Sequence, residues 1–559
     1  MPTPPSVQKW LERPWVTDAG VFLLYTLLSV VFTWPLATGL SELIPAHFDP
    51  PFTAWRLGWI AHQIGHPGHL FDGNIFWPDR RTLAYSDAVL LQGLLGTPFA
   101  LLGVNPNGIA NVLSLVALAT SAFFAYLLAA RLTGHRGAAL VAGLVFAFSS
   151  YRRVHLPHLE LQWAQWMPLA FWAWHRLLDT GRMRDGLLCA GAVLLQLLSS
   201  LYYAVFLGIG LGIVGLTTLI ARRGRVAGPA LVGLCAGAVI AAGVAVSYAK
   251  PYAFARAKVG DRTIEETTRY SATPASFLTV SPDSIVYRSL LPHEGEGETE
   301  LFPGITPVIL AGAALVPPTT AAAVAYGVSL AVAGDMALGT NGLIFPLARP
   351  HVRALRALRA PARFSILVQL ALGVLASMGL ARAIARWPRM GPALVAGSVC
   401  LVLVEYATGP LQVMRLPVRP PPIYKWLATQ PKLVTLELPA PPPHALPLHD
   451  PFYMYASTWH WQPLVNGYSG HYSARYVELT EALPDLPGPK SIAALTSMGV
   501  QRILLHEKLF PQGVYPPLIG AIEGDPMFHL ETVSADHLGE VRVYAFLPGF
   551  GPREPVASR

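Results

Sequence analysis

From Tyr203 to Ala221 the chain reads YAVFLGIGLGIVGLTTLIA, without one charged side chain. About 20 such residues cross the core of a bilayer, and a helix satisfies every backbone amide within it. Comparable runs lie near 19–38, 108–130, 137–150, 162–178, 185–201, 203–221, 227–247, 304–317, 320–338, 364–384 and 391–409. Eleven spans are therefore expected, in a mainly α, polytopic membrane protein. With 53% of the 559 residues hydrophobic and only 13% charged, an ordinary soluble globule is excluded. The first run follows Lys9 and Arg13 without an A-x-A cleavage site, so it reads as a retained span and not as a removed signal.

A twelfth segment, DAVLLQGLLGTPFALLGV (87–104), is apolar but short, and Gly93, Gly96 and Pro98 interrupt it. Left at the interface, with the N-terminus inside, it lets Arg131/Arg136, Arg176/Arg182/Arg184, Arg222/Arg223/Arg225 and Arg382/Arg386/Arg389 all fall in cytoplasmic loops. Counted as a span, it moves all of them outside. The exterior face of this inner-membrane, multi-pass protein then receives residues 39–107, 151–161, 249–303, 339–363 and everything after about 410. The net charge of +8 sits in these short clusters, where it serves orientation, and no nucleic-acid motif accompanies it. Cys189, Cys235 and Cys400 lie in apolar runs without CxxC spacing, which leaves neither a disulfide framework nor a zinc site.

The expected organisation is a membrane domain over 1–410, with a first exterior loop at 39–107 and a large one at 249–303. A proline-rich linker (411–425) and a small exterior α/β domain (426–559) follow. In that domain KLVTLELP (432–439), QRILLHE (501–507), FHLETVS (528–534) and VRVYAFL (541–547) read as strands, and SIAALTSMG (491–499) as a helix. Its segment YMYASTWHWQPLVNGYSGHYS (453–473) fits either an aromatic core with an Asn-Gly turn or a sugar-contacting surface, with Trp461 and Asn466 as contacts.

RPHVRALRALRAPARF (349–364) places arginines on the exterior face, where basic residues are scarce. At about 100° per residue, Arg353, Arg356 and Arg359 share an arc of about 120°, with Leu355 and Leu358 opposite. An amphipathic helix from Pro350 to Pro361 is expected, with Arg363 at the mouth of the next span. Guanidinium forks suit a phosphate or pyrophosphate there; the plainer reading is attraction to anionic headgroups, about 1 kcal/mol per residue.

In IPAHFDPPFTAWRLGWIAHQI (44–64), Asp49 follows the first span closely enough to act as a general base at the membrane surface, or to be a helix cap. Asp87 opens the interfacial segment, as acceptor contact or N-cap. SSYRRVHLPHLELQW (149–163) offers Arg152 and Arg153 to a phosphate. It also offers His155, His158 and Glu160 to an acceptor, a sugar or a divalent cation, against the plain reading of a polar loop. HEGEGETELFPG (293–304) reads as a mobile loop able to order over a ligand.

This layout, with ARLTGHRGAAL (130–140) and FAFSSYRR (146–153) closing successive spans, resembles the GT-C superfamily of polyprenyl-phosphate-sugar glycosyltransferases. LRAPARF (358–364) and LVNGYSG (464–470) are similar to bacterial YfhO-type members. The resemblance implies that Asp49 matches the first-loop acidic residue serving as base, and that Arg353, Arg356, Arg359 and Arg363 match the basic residues holding the lipid phosphate. It further implies a polyprenyl-phosphate-linked sugar donor, a glycan, lipid or protein acceptor, and surrounding membrane lipids. A lone Asp-Pro stands where several relatives carry an acidic pair, so the likeness assigns no certain cofactor and a divalent cation stays open. Base and cationic phosphate clamp together give a single displacement with inversion at the sugar carbon. A lipid-linked glycan transporter or flippase, or a noncatalytic glycan-assembly factor, are the alternatives; transport would call for ionisable groups inside spans, of which Glu405 and Asp335 are the clearest.

Overall fold

The computed structural model describes residues 14–293, 297–440, 449–536 and 539–548. Each expected apolar run coincides with a helix: Pro14–Phe32, Pro106–Thr133, Arg136–Phe148, Trp166–Thr180, Met183–Ser199, Leu201–Ala221, Gly228–Val259, Ile305–Leu315, Ala321–Ala337, Ser365–Arg386 and Gly391–Glu405. Among the described residues, five helical stretches are long and apolar enough to cross a membrane by length and composition. The chain is an integral membrane protein.

Contacts divide the chain into two compact units. One is built from residues up to Leu40, Asn111–Tyr248 and Asp261–Val413; the other from Ser41–Ala110, Ala249–Gly260 and Met414–Arg559. The sequence reading had three consecutive segments. Residues 41–110 and 249–260, read as loops of the membrane domain, instead cluster with the tail because their apolar side chains (Phe52, Trp55, Ile60, Phe76, Tyr85, Ala255) share its core.

In the first unit the Ser365–Arg386 helix is the axis, buried from Ser365 through Leu380. Small residues let backbones approach it: a Cβ on Gly379 would lie 1.8 Å from the Leu310 carbonyl oxygen. Gly186 and Gly233 do the same between the Met183–Ser199 and Gly228–Val259 helices, with a Gly233 Cβ 2.0 Å from the Met183 oxygen. At one end of this unit Arg131 and Arg222 meet on Asp179, and Arg136 meets Asp18. At the other end, Arg153 gathers Phe32, Asp283 and Gly409.

In the second unit four strands, β1 (Thr435–Leu438), β2 (Arg502–His506), β3 (Phe528–Asp536) and β4 (Gly539–Phe546), form a sheet in the order β1-β2-β4-β3. The β1 and β2 strands run parallel, and the other two pairings are antiparallel. A helix at Pro489–Ser497 takes in 491–497 of the expected 491–499. Asn466-Gly467 is not a hairpin turn, contrary to expectation. Residues 464–466 run extended beside β1, with Val465 N bonded to the Thr435 oxygen, and Phe76 N and Trp77 N bonding the Asn466 and Leu464 oxygens from the other flank. The Phe76 ring packs on Gly467, 2.6 Å from where a Cβ would stand.

The interfacial segment forms a helix only at Leu90–Leu101, 12 residues or about 18 Å, too short to cross a bilayer core. Gly93 and Gly96 give Ile60 and Ile109 room against it, and its outer face exposes Leu94, Leu95, Phe99 and Leu101. Its N-cap is Val89, so Asp87 is not the cap; the Asp87 carbonyl oxygen accepts from Arg56 Nη1 at 2.7 Å. Within the acidic run, residues 294–296 lie outside the described residues, as do 441–448.

Candidate functional site

In the second unit, Asp49 is the first residue of the Asp49–Gln63 helix, whose residues 49–61 are buried. Pro50 and Pro51 suit the opening turn, where no backbone donor is needed. The N-cap is Phe48, so the Asp49 carboxylate is not consumed in capping. Tyr468 OH donates to Oδ1 at 3.2 Å, and His47 Nδ1 lies 2.9 Å from Oδ2. A helix N-terminus, a phenol and an imidazole thus surround one carboxylate, and Asp49 N donates in turn to His47 Nδ1 at 3.2 Å.

Nearby residues in the same unit divide into contacts and props. Trp461 holds φ at 49°, the left-handed region, and its ring stacks on His62 at 4.4 Å and meets Trp59 edge-on at 5.6 Å. Its half-buried indole keeps the candidacy for sugar contact. Asn466 loses that candidacy. It is fully buried, accepts from Glu437 N at 2.7 Å, and donates to the Glu437 oxygen at 2.9 Å and to Asp450 Oδ1 at 3.0 Å, a clip that pins the extended segment to β1.

In the first unit, the arginine strip is not one helix. A single turn, Arg353–Arg356, is followed by a 3-10 turn at Pro361–Phe364. The expected helix stops because Leu355 and Leu358 dock into the core while Arg359 N turns to donate to Tyr202 OH at 2.9 Å. Arg353 is exposed, Arg356 reaches Asp261 at 3.3 Å and the Pro350 oxygen at 2.8 Å, and Arg359 lies over the Tyr270 ring at 4.8 Å. Arg363 is buried and forks onto Glu298, with Tyr202 beneath its guanidinium at 5.3 Å.

Arg152 and Arg153 leave the phosphate-binding set. Arg152, completely buried, donates to the Leu161 and Gln162 oxygens at 2.6 and 2.7 Å. Arg153 donates to the Phe32 and Gly409 oxygens and pairs with Asp283 at 3.3 Å. Both guanidiniums tie loop carbonyls together in a place an incoming phosphate would have to dismantle. His155 is likewise buried, between the Tyr151 carbonyl oxygen (2.9 Å) and Glu298 (3.0 Å). Burial lowers the ring's affinity for a second proton, and Glu298 works against that. His158 and His155 lie ring to ring at 5.8 Å, and Glu160 is buried at the start of the Leu159–Gln162 turn. Among the described residues no group of three or more His, Cys, Asp or Glu is placed to hold a metal ion.

Glu298, which the sequence reading left inside a loop, is the pivot of this end of the unit. Burial alone would raise its carboxyl, but Arg363 and His155 outweigh burial and hold it well below the usual carboxylate range. Two residues on, burial pushes Glu300 up to about 8, the opposite direction from Glu298. The only advance signal was the density of acidic residues facing a basic strip on the same expected side.

No family model and no curated protein sequence matches the chain. Solved structures do match. The arabinofuranosyltransferase AftD from mycobacteria is 15% identical, with a TM-score of 0.60 over 95% of this chain and 40% of that one. The chain thus spans about two fifths of the length of AftD. Apo ArnT from Cupriavidus metallidurans is 13% identical, with a TM-score of 0.50 over 96% of this chain and 100% of its own. AglB from Archaeoglobus fulgidus, an oligosaccharyltransferase, is 12% identical with a TM-score of 0.45 over 98% and 76% of the two chains. The fold, a helical membrane protein with a small C-terminal sheet, is similar to that of AftD and ArnT.

Proposed function

We propose that the chain is an inverting glycosyltransferase that moves a sugar from a polyprenyl-phosphate donor to an acceptor on the outer side of the cell membrane. The observation that supports this reading is the fold shared along 95% of the chain with AftD, a protein named as an arabinofuranosyltransferase. Asp49, buried and held by Tyr468 and His47, is the base that removes the acceptor hydroxyl proton. Within the first unit, Arg353, Arg359 and Arg363 offer fixed positive charge to a lipid phosphate; within the second, Trp461 offers a face to a sugar ring. The N-terminus is cytoplasmic in this reading, and no step runs through a metal ion.

Transport fits less well. Glu405 accepts from Thr306 N at 2.9 Å and from its hydroxyl at 2.6 Å, and Asp335 accepts from Leu343 N and Ile344 N. Both span carboxylates therefore hold helix ends and do not line a polar path. The test is transfer by the purified chain with Asp49→Asn beside wild type. Loss of at least about 100-fold in rate with an unchanged melting temperature is expected, and full activity in the variant would remove Asp49 from the chemistry.

A further inference from the structure

Arg363 Nε donates to Glu298 Oε1 at 2.9 Å and Oε2 at 3.0 Å, and Nη2 adds a second bond to Oε1. The arginine side chain is 8% exposed and the glutamate 12%, so this fork is shut off from water. On the far side of the carboxylate, His155 Nε2 lies 3.0 Å from Oε2. His155 Nδ1 faces the Tyr151 carbonyl oxygen, an atom that can only accept, so Nδ1 carries a hydrogen. Arg363 and His155 thus flank the Glu298 carboxylate from two sides. The groups around them are Tyr151 OH, which is bonded to Tyr203 OH and to the Arg363 carbonyl oxygen, the Tyr202 ring, and His158.

A carboxylate and a phosphate present a guanidinium with the same pair of oxygens. They cannot share one fork, since two anions at that separation in a buried site repel strongly. Nor can Glu298 leave Arg363 without a replacement, because an unpaired buried guanidinium is far costlier than a paired one. Gly297, at φ +46°, turns the chain immediately before Glu298, while Leu301 N and Phe302 N clasp the Ser276 and Thr279 oxygens behind it.

We propose that Glu298 is an internal stand-in for the ligand's phosphate. It closes the Arg363 seat in the empty protein and leaves only in exchange for a lipid-linked phosphate. This rests on the reading of Arg363 as a phosphate ligand. The exchange makes the seat selective for anions that bring two oxygens to the fork, and it keeps Arg363 away from bulk phospholipid between turnovers.

The test is equilibrium binding of farnesyl phosphate to the full chain in neutral detergent, for wild type, Glu298→Gln, Arg363→Gln and the double variant. Removing the stand-in should tighten binding about tenfold or more, the factor by which a closed seat lowers apparent affinity when it is more than about 90% occupied. The gain should vanish in the double variant. Equal or weaker binding by Glu298→Gln, with Arg363→Gln still weakening it, overturns the exchange and leaves the phosphate seat standing. Binding that ignores Arg363 in both backgrounds overturns the seat itself. An equal gain for inorganic phosphate overturns the lipid-linked ligand. Hydrogen exchange on the wild-type chain reads the same event without a variant: residues 297–302 should exchange faster with saturating farnesyl phosphate, and unchanged or slower exchange counts against release of Glu298.

Discussion

At Asp450 a single carboxyl shows how burial and hydrogen bonding set a residue's behaviour in the second unit. It is buried beneath Tyr476 OH (2.6 Å) and Asn466 Nδ2 (3.0 Å), and burial pushes its pKa up to about 7 from an ordinary 3.8. The folded state therefore holds a proton that the unfolded chain releases between about pH 4 and about pH 7. Stability from this group is complete below 3.8 and is lost as pH rises to about 7, at up to about 1.4 kcal/mol per pH unit. Thermal melts of wild type and Asp450→Asn across that range should converge at low pH and diverge towards neutral pH, with the variant the more stable there. Parallel curves would mean that Asp450 is ionised throughout. Asp49 was singled out because a carboxylate close after an apolar run has few inexpensive explanations. Asn466 was misread because its partners, Glu437 and Asp450, are distant in sequence, and Glu298 was passed over because its partner lies 65 residues away.

Among the elements, the helices were readable because an apolar run of this length leaves the backbone few solutions: each expected run coincides with a helix, and five helical stretches among the described residues are long and apolar enough to cross a membrane. The strands of the tail were readable from their short β-branched and aromatic runs between proline and glycine. The helix expected from Pro350 to Pro361 failed for a tertiary reason: one turn suffices to seat Leu355, after which Tyr202 takes the Arg359 amide. Helix periodicity proposed a continuous strip, and packing cut it. Small-residue contacts between helices carry the packing of the first unit, and they make a sharp prediction. Gly233→Leu places atoms against the Met183 carbonyl, where even a Cβ has only 2.0 Å, so the two helices must part. A loss of several kcal/mol, on the scale of overpacking or more, should appear as a lowered melting temperature in detergent. The same change at Gly208, where nothing lies within 4 Å, should cost little.

For the whole molecule, the division into two units was not legible from sequence. Hydropathy marks residues 41–110 as the connection between spans, yet their aromatic residues belong to the core of the tail. The resemblance in layout did reach the fold, because the order of apolar runs and loops carries the architecture shared with AftD and ArnT. The central claim, transfer of a sugar off a lipid phosphate, is tested most directly by following the donor. Purified chain in liposomes would receive a panel of labelled polyprenyl-phosphate sugars with candidate acceptors, and both lipid products and the anomeric configuration of the new bond would be read. Release of one polyprenyl phosphate for each sugar transferred, with inverted configuration, is the predicted result. Donor that crosses between leaflets intact, or is bound without any release of polyprenyl phosphate across the panel, would contradict it.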